Sequence, residues 1–169
     1  MTAGTSPEAG ASPEQRLAEL GLTLPAVAPP GGAYVPAVRT GSYVYTAGQL
    51  PFVDGKLPAT GKVGAEVSAE QAHDLARLCA LNALAAAADA AGGLAAITRI
   101  VKVVGFVASD PGFTAQPQVI NGASELLTAV FGDAGKHARS AVGVAVLPLD
   151  TPVEVELIAE VAAPAGAAS

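Results

Sequence analysis

The stretch HARSAVGVAVLPLDTPVEVELIAEV, from His137 to Val161, holds the residues with the clearest chemistry: Arg139, Glu154 and Glu156. A guanidinium is a planar fork of donors that meets a carboxylate through two parallel hydrogen bonds, and a carboxylate held over a strand can orient or deprotonate a water. Together they suit a small site for an anionic metabolite. The same residues also suit a cross-strand ion pair between Arg139 and Glu154 or Glu156, worth about 1 kcal/mol or less at a surface.

The elements that carry these side chains are legible from their patterns. Ala141 to Val146 and Val153 to Ala159 read as two strands, and Leu147 to Pro152 between them is rich in turn formers. A hairpin in the middle of a sheet is the expectation, with arginine and glutamate on adjacent strands. Alternation puts Glu154 and Glu156 on one face and Val153, Val155 and Leu157 on the other. His137 is expected in the loop before the first of these strands.

Upstream, Tyr34 to Val38 and Tyr43 to Ala47 read as strands joined by a turn at Arg39 to Ser42, and Asp54-Gly55 is a tight-turn signal. Ser68 with Gln71 is a capping-box pattern opening an Ala- and Leu-rich helix to about Ala91, ended by Gly92-Gly93. Thr98 to Ala108 is a continuous β-branched run that suits a buried central strand, and Gln116 to Phe131 has helical periodicity. Ser12, Pro13, Leu17 and Leu20 mark a short helix near the start. The order strand, strand, helix, strand, helix, strand, strand predicts an α+β domain with two helices on one face of a mixed sheet.

The chain has 169 residues, 51% apolar and 14% charged, which suits one domain with a sizeable core. A net charge of −6, with nine scattered basic residues, argues against nucleic-acid binding. No apolar stretch predicts a membrane span, and a soluble, cytoplasmic protein is expected. The single cysteine, Cys79, reads as a buried helix residue and rules out an internal disulfide. Two histidines far apart and no cysteine pair give no support for a metal site.

The run ARSAVGVAVLP followed by VEVELIAEV resembles the C-terminal signature of the Rid family, also called YjgF. The resemblance extends back through YVPAVRTGSYVYTAGQLP, the helix SAEQAHDLARLCALNALAA, the strand IVKVVGFVAS and the segment from Phe113 to Phe131, covering roughly Gly31 to Val161. It implies a chorismate mutase-like fold and a homotrimer. With the small, polar composition of the first residues, the expected division is a flexible extension with a short helix at 1–30, a Rid-like domain at 31–163 and a disordered tail at 164–169.

The same resemblance assigns a site. Arg139 matches the arginine that grips a substrate carboxylate, and Glu154 the glutamate that positions or activates water. Tyr34, Gly48, Asn121 and, through its main chain, Ala141 match positions that border the substrate. Two residues depart from the pattern: Ala47 stands where a serine is usual, and Ala141 where a cysteine is frequent. The function implied is hydrolytic deamination of reactive 2-imino or enamino acids to 2-keto acids and ammonia, without cofactor, with a small carboxylate metabolite bound at subunit interfaces. The alternatives are a non-catalytic trimeric binding protein for small carboxylates, motivated by Ala47 and Ala141, and, as some relatives are described, an endoribonuclease.

Overall fold

The computed structural model describes residues 10–163, so the tail expected at 164–169 and the first nine residues of the expected 1–30 extension lie outside the described residues. Helix α1 spans Pro13–Glu19 and starts from a complete capping box, in which Ser12 Oγ accepts from the Gln15 N–H and the Gln15 side chain accepts from the Ser12 N–H. Its one buried residue, Leu17, joins the core against α3, which spans Gln116–Phe131. The expected N-cap and N1 proline are both in place.

Strands β1 (Ala37–Thr40) and β2 (Tyr43–Thr46) form a hairpin around Gly41, whose φ of 56° is open to glycine. The first strand therefore begins after Tyr34, not at it. Pro36, which has no N–H to give a ladder, precedes the pairing, and Tyr34 stays in the loop. Helix α2 (Ala69–Ala91) is capped by Ser68, which accepts from the Gln71 N–H, and ends at Gly92 in the left-handed conformation. It buries every residue from Ala83 to Ala88, alanines on either side of Leu84, and packs over β5 (Val153–Val161). Cys79 is fully buried on this helix.

The sheet has the order β1-β2-β5-β3-β4, where β3 spans Ile97–Ala108 and β4 Ala138–Val144. β4 runs parallel to β3, and every other pairing is antiparallel. A parallel neighbour needs a crossover, and α3 supplies it between β3 and β4. The hairpin expected between the last two strands does not form. β3 lies between them and pairs with both, Val103 standing opposite Arg139 on one side and Leu157 on the other. The link from β4 to β5 instead passes over the end of β3, through a short 3-10 turn at Pro148–Asp150 where Leu149 and Asp150 take positive φ.

Register divides the sheet into two faces. Val44, Val103, Val107, Val153, Val155, Leu157 and Ala159 turn to α2 and α3 and are buried. Tyr43, Tyr45, Ile158, Glu154, Glu156, Phe106 and Val142 belong to the other face, which no described helix covers. The strict alternation along β5, buried at odd and half-buried at even positions, is the one read from the sequence.

Candidate functional site

Arg139 sits one residue into the edge strand β4, on the helix-bearing face. Its Nη1 donates to Asn121 Oδ1 at 2.8 Å and to Ser124 Oγ at 3.2 Å, and its Nη2 donates to the Pro117 carbonyl at 3.2 Å. Positions 117, 121 and 124 follow the spacing of one helical stripe, so the start of α3 presents all three acceptors to one guanidinium. All three are uncharged. Among the described residues Arg139 has no ion pair with any carboxylate, and nothing accepts from its Nε. The open Nε–H lies on the edge whose Nε–H and Nη2–H together make the fork that grips a carboxylate.

Behind this cradle stands His137, half-buried, with Nε2 2.9 Å from Ser124 Oγ and Nδ1 2.6 Å from the Gly135 carbonyl. Burial pushes its pKa down, the Gly135 hydrogen bond acts the other way, and the Arg139 charge pushes it down again.

Glu154 lies on the opposite face of the sheet, opposite Phe106 on β3. It is half-buried, and burial, reinforced by Glu156 two residues on, raises its pKa above the ordinary carboxylate value. Gly48 is packed against it: a Cβ on Gly48 would fall 1.8 Å from Glu154 Oε1. Gln49 fixes this approach by exchanging two backbone hydrogen bonds with Val155, at 2.8 and 3.0 Å. Glycine at 48 therefore leaves room for the carboxylate beside bare backbone.

The predicted residues thus fall into two groups. Arg139, Asn121 and, on the same face of β4, Ala141 paired with Gly105 belong to the first; Glu154 and Gly48 belong to the second. Arg139 and Glu154 are on neither adjacent strands nor the same face, which corrects the picture of a cross-strand pair. Tyr34 is exposed and joins neither group directly; its hydroxyl accepts the Gly31 N–H at 3.2 Å. Ser124 and the Pro117 carbonyl were not singled out from sequence, although their spacing from Asn121 on a helix carried the signal. Among the described residues no group of three or more His, Cys, Asp or Glu is gathered to hold a metal ion, and no helix is long and apolar enough to cross a membrane.

A five-stranded mixed sheet with its helices on one face, an arginine cradle at its parallel edge and a carboxylate beside a glycine on the other face define a YjgF/chorismate mutase-like α+β protein. Residues 14–161 match the family model described as "YjgF/chorismate_mutase-like, putative endoribonuclease", and the chain belongs to that YjgF/Rid family. It is 43% identical to Protein TCP17 of Trypanosoma cruzi over 145 residues, 85% of this chain and 91% of that one. The crystal structure of Atu1372 from Agrobacterium tumefaciens, a protein of unknown function, superposes with a TM-score of 0.83 at 47% identity, covering 89% of this chain and 92% of that one. E. coli TdcF with bound serine superposes with a TM-score of 0.58 at 30% identity, covering 83% and 96%.

Proposed function

We propose that this protein hydrolyses reactive 2-imino or enamino acids to 2-keto acids and ammonia, in a homotrimer whose sites lie between subunits. The observation that carries the reading is the charged, carboxylate-free guanidinium of Arg139, held by three neutral acceptors with its Nε–H unengaged among the described residues. Nothing in that arrangement neutralises the charge, so an anionic substrate supplies the missing partner. The serine bound to TdcF is a small amino acid with the same carboxylate.

The division of the site between two faces supports a shared one. Within a subunit Arg139 and Glu154 are on opposite sides of the sheet, and a second copy can bring its Glu154 to the first copy's Arg139. The uncovered face offers the means, since Tyr43, Tyr45 and Val142 are each more than 40% exposed there. The substrate carboxylate docks on Arg139, with Asn121 and the Ala141 backbone beside it and Tyr34 at the rim. Glu154 and the Gly48 backbone hold a water over the imine carbon.

Water adds to the C=N bond as Glu154 takes its proton. Glu154 passes that proton to the nitrogen to give the carbinolamine, then carries the hydroxyl proton to the same nitrogen as the C–N bond breaks, ammonia leaves and the C=O bond of the keto acid forms. The imine carbon is already electrophilic, so orientation and desolvation supply the rate without a cofactor. A raised pKa suits Glu154 to this exchange, because a base is most effective when its pKa approaches the working pH. The reading carries with it the 31–163 segment as the catalytic unit, 1–30 as an extension, and a cytoplasmic setting.

Ala47, which leaves no hydroxyl beside Gly48, favours a second reading: a trimer that binds small carboxylates without turning them over. The endoribonuclease in the family description fits this chain poorly, because a net charge of −6 repels a phosphate backbone. Release of keto acid from freshly generated 2-aminoacrylate, compared between wild type and Arg139→Ala, decides among them. Wild-type turnover should fall about tenfold to a hundredfold in the variant, as expected for loss of a charge-assisted bidentate contact. An Arg139→Ala protein with unchanged turnover would remove the arginine from the mechanism, and a wild type that binds 2-ketobutyrate but turns over no imine would leave the binding reading.

A further inference from the structure

The geometry points to His137, acting through Ser124, as the residue that positions Arg139; this rests on Arg139 being the carboxylate anchor proposed above. The direction of each hydrogen bond is fixed from the far end of the chain of contacts. The Gly135 carbonyl can only accept, so His137 Nδ1, 2.6 Å away, carries the ring proton. In the neutral imidazole Nε2 is then an acceptor, and the Ser124 hydroxyl at 2.9 Å donates to it. With its hydrogen committed there, Ser124 Oγ presents its lone pairs to Arg139 Nη1 at 3.2 Å.

A backbone carbonyl thus sets the tautomer, the tautomer sets the hydroxyl rotor, and the rotor sets an acceptor for the guanidinium. Asn121 Oδ1 and the Pro117 carbonyl complete the hold, so the plane of Arg139 is fixed at three points while its Nε–H stays available. Without the imidazole, Ser124 can rotate its hydrogen toward Nη1 and the cradle loses one wall.

The charged groups nearby leave this role intact. Arg139 faces His137 from β4. Glu125, next to Ser124 on α3, is engaged by His73 of α2 at 3.2 Å, and Asp133 is engaged by Lys136 at 2.7 Å in the turn before His137. None of these carboxylates is bonded to the His137 ring, and its half-buried position beside Arg139 keeps it in the neutral form that can accept.

The test compares Ser124→Ala, His137→Phe, His137→Gln and the Ser124→Ala/His137→Phe double variant at pH 8. KM for 2-aminoacrylate and Kd for 2-ketobutyrate should rise about tenfold in the first two, with kcat changed less than about threefold. His137→Gln keeps an acceptor where Nε2 stood and should stay within about twofold of wild type. Because both residues act along one chain of contacts, the double variant should be no worse than Ser124→Ala alone. Wild-type KM and Kd in His137→Phe, or additive losses in the double variant, overturn the inference.

Nitrogen-15 spectra without any ligand separate this question from the deaminase reading. Wild type must show His137 protonated at Nδ1 and bare at Nε2, with an Arg139 Nε resonance that is sharp in wild type and His137→Gln and broadened in His137→Phe. The opposite tautomer, or an Arg139 resonance indifferent to His137, overturns the positioning role even if imines are hydrolysed. A protein that neither binds keto acid nor consumes imine but shows these spectra overturns the deaminase reading alone.

Discussion

Glu154 combines a half-buried carboxylate, a raised pKa and a glycine beside it, and these give opposite consequences for stability and turnover. The folded protein holds the Glu154 proton to higher pH than the unfolded chain, whose carboxyl titrates near the ordinary 4.5. Stability from this group is therefore fully present below that value and lost as pH rises through the raised one. Glu154→Gln keeps the shape and removes the titration. Urea midpoints of the variant should match wild type at pH 4 and exceed it at pH 8, while imine turnover at pH 8 falls. A variant less stable than wild type at pH 8 would show that the carboxylate is favoured by its surroundings, against the burial argument.

Element by element, helix α3 decides whether the arginine cradle exists. It is the crossover that makes β4 parallel to β3, and its first turns hold Pro117, Asn121 and Ser124. Its distance from α2 is set at Gly122, where a Cβ would fall 2.0 Å from the His73 carbonyl oxygen. Backbone in the middle of a helix yields little, so Gly122→Ala must push the two helices apart. A loss of about 2 kcal/mol in urea unfolding is expected, the usual scale of overpacking. The displaced acceptors should raise KM for imine in the same variant, and a stable Gly122→Ala with wild-type KM would show that α3 tolerates the shift. The helix bounds were legible in the sequence because apolar period, caps and terminal glycines act locally. So was the parity of β5, since alternation along a strand does not depend on its neighbours.

For the whole molecule, the consequential arrangement is the separation of Arg139 and Glu154 by the thickness of the sheet. If each site takes Arg139 from one subunit and Glu154 from another, Arg139→Ala and Glu154→Gln proteins are each strongly impaired separately. Unfolded together in equal amounts and refolded, they should regain turnover at about a quarter of the sites, because each site draws its two residues independently from neighbouring copies in a ring. Recovery confined to the level of either parent would place both residues in one subunit's own site or remove one of them from the chemistry. Scattering of the mixed and parent proteins gives the assembly size in the same experiment.

The sequence by itself determined the elements, the alternation that puts Glu154 opposite the core, and the identities of the arginine and carboxylate able to do chemistry. It also placed Asn121 and Ser124 one helical turn apart, a spacing that becomes meaningful once their common target is known. Only the tertiary structure decided that β3 enters between β4 and β5. Strand order depends on backbone hydrogen bonds, which every residue but proline offers alike, so the short turn-rich link at 147–152 was equally compatible with a hairpin and with a passage over β3. That one placement moves Arg139 and Glu154 to different faces and turns an apparent pair into two half-sites.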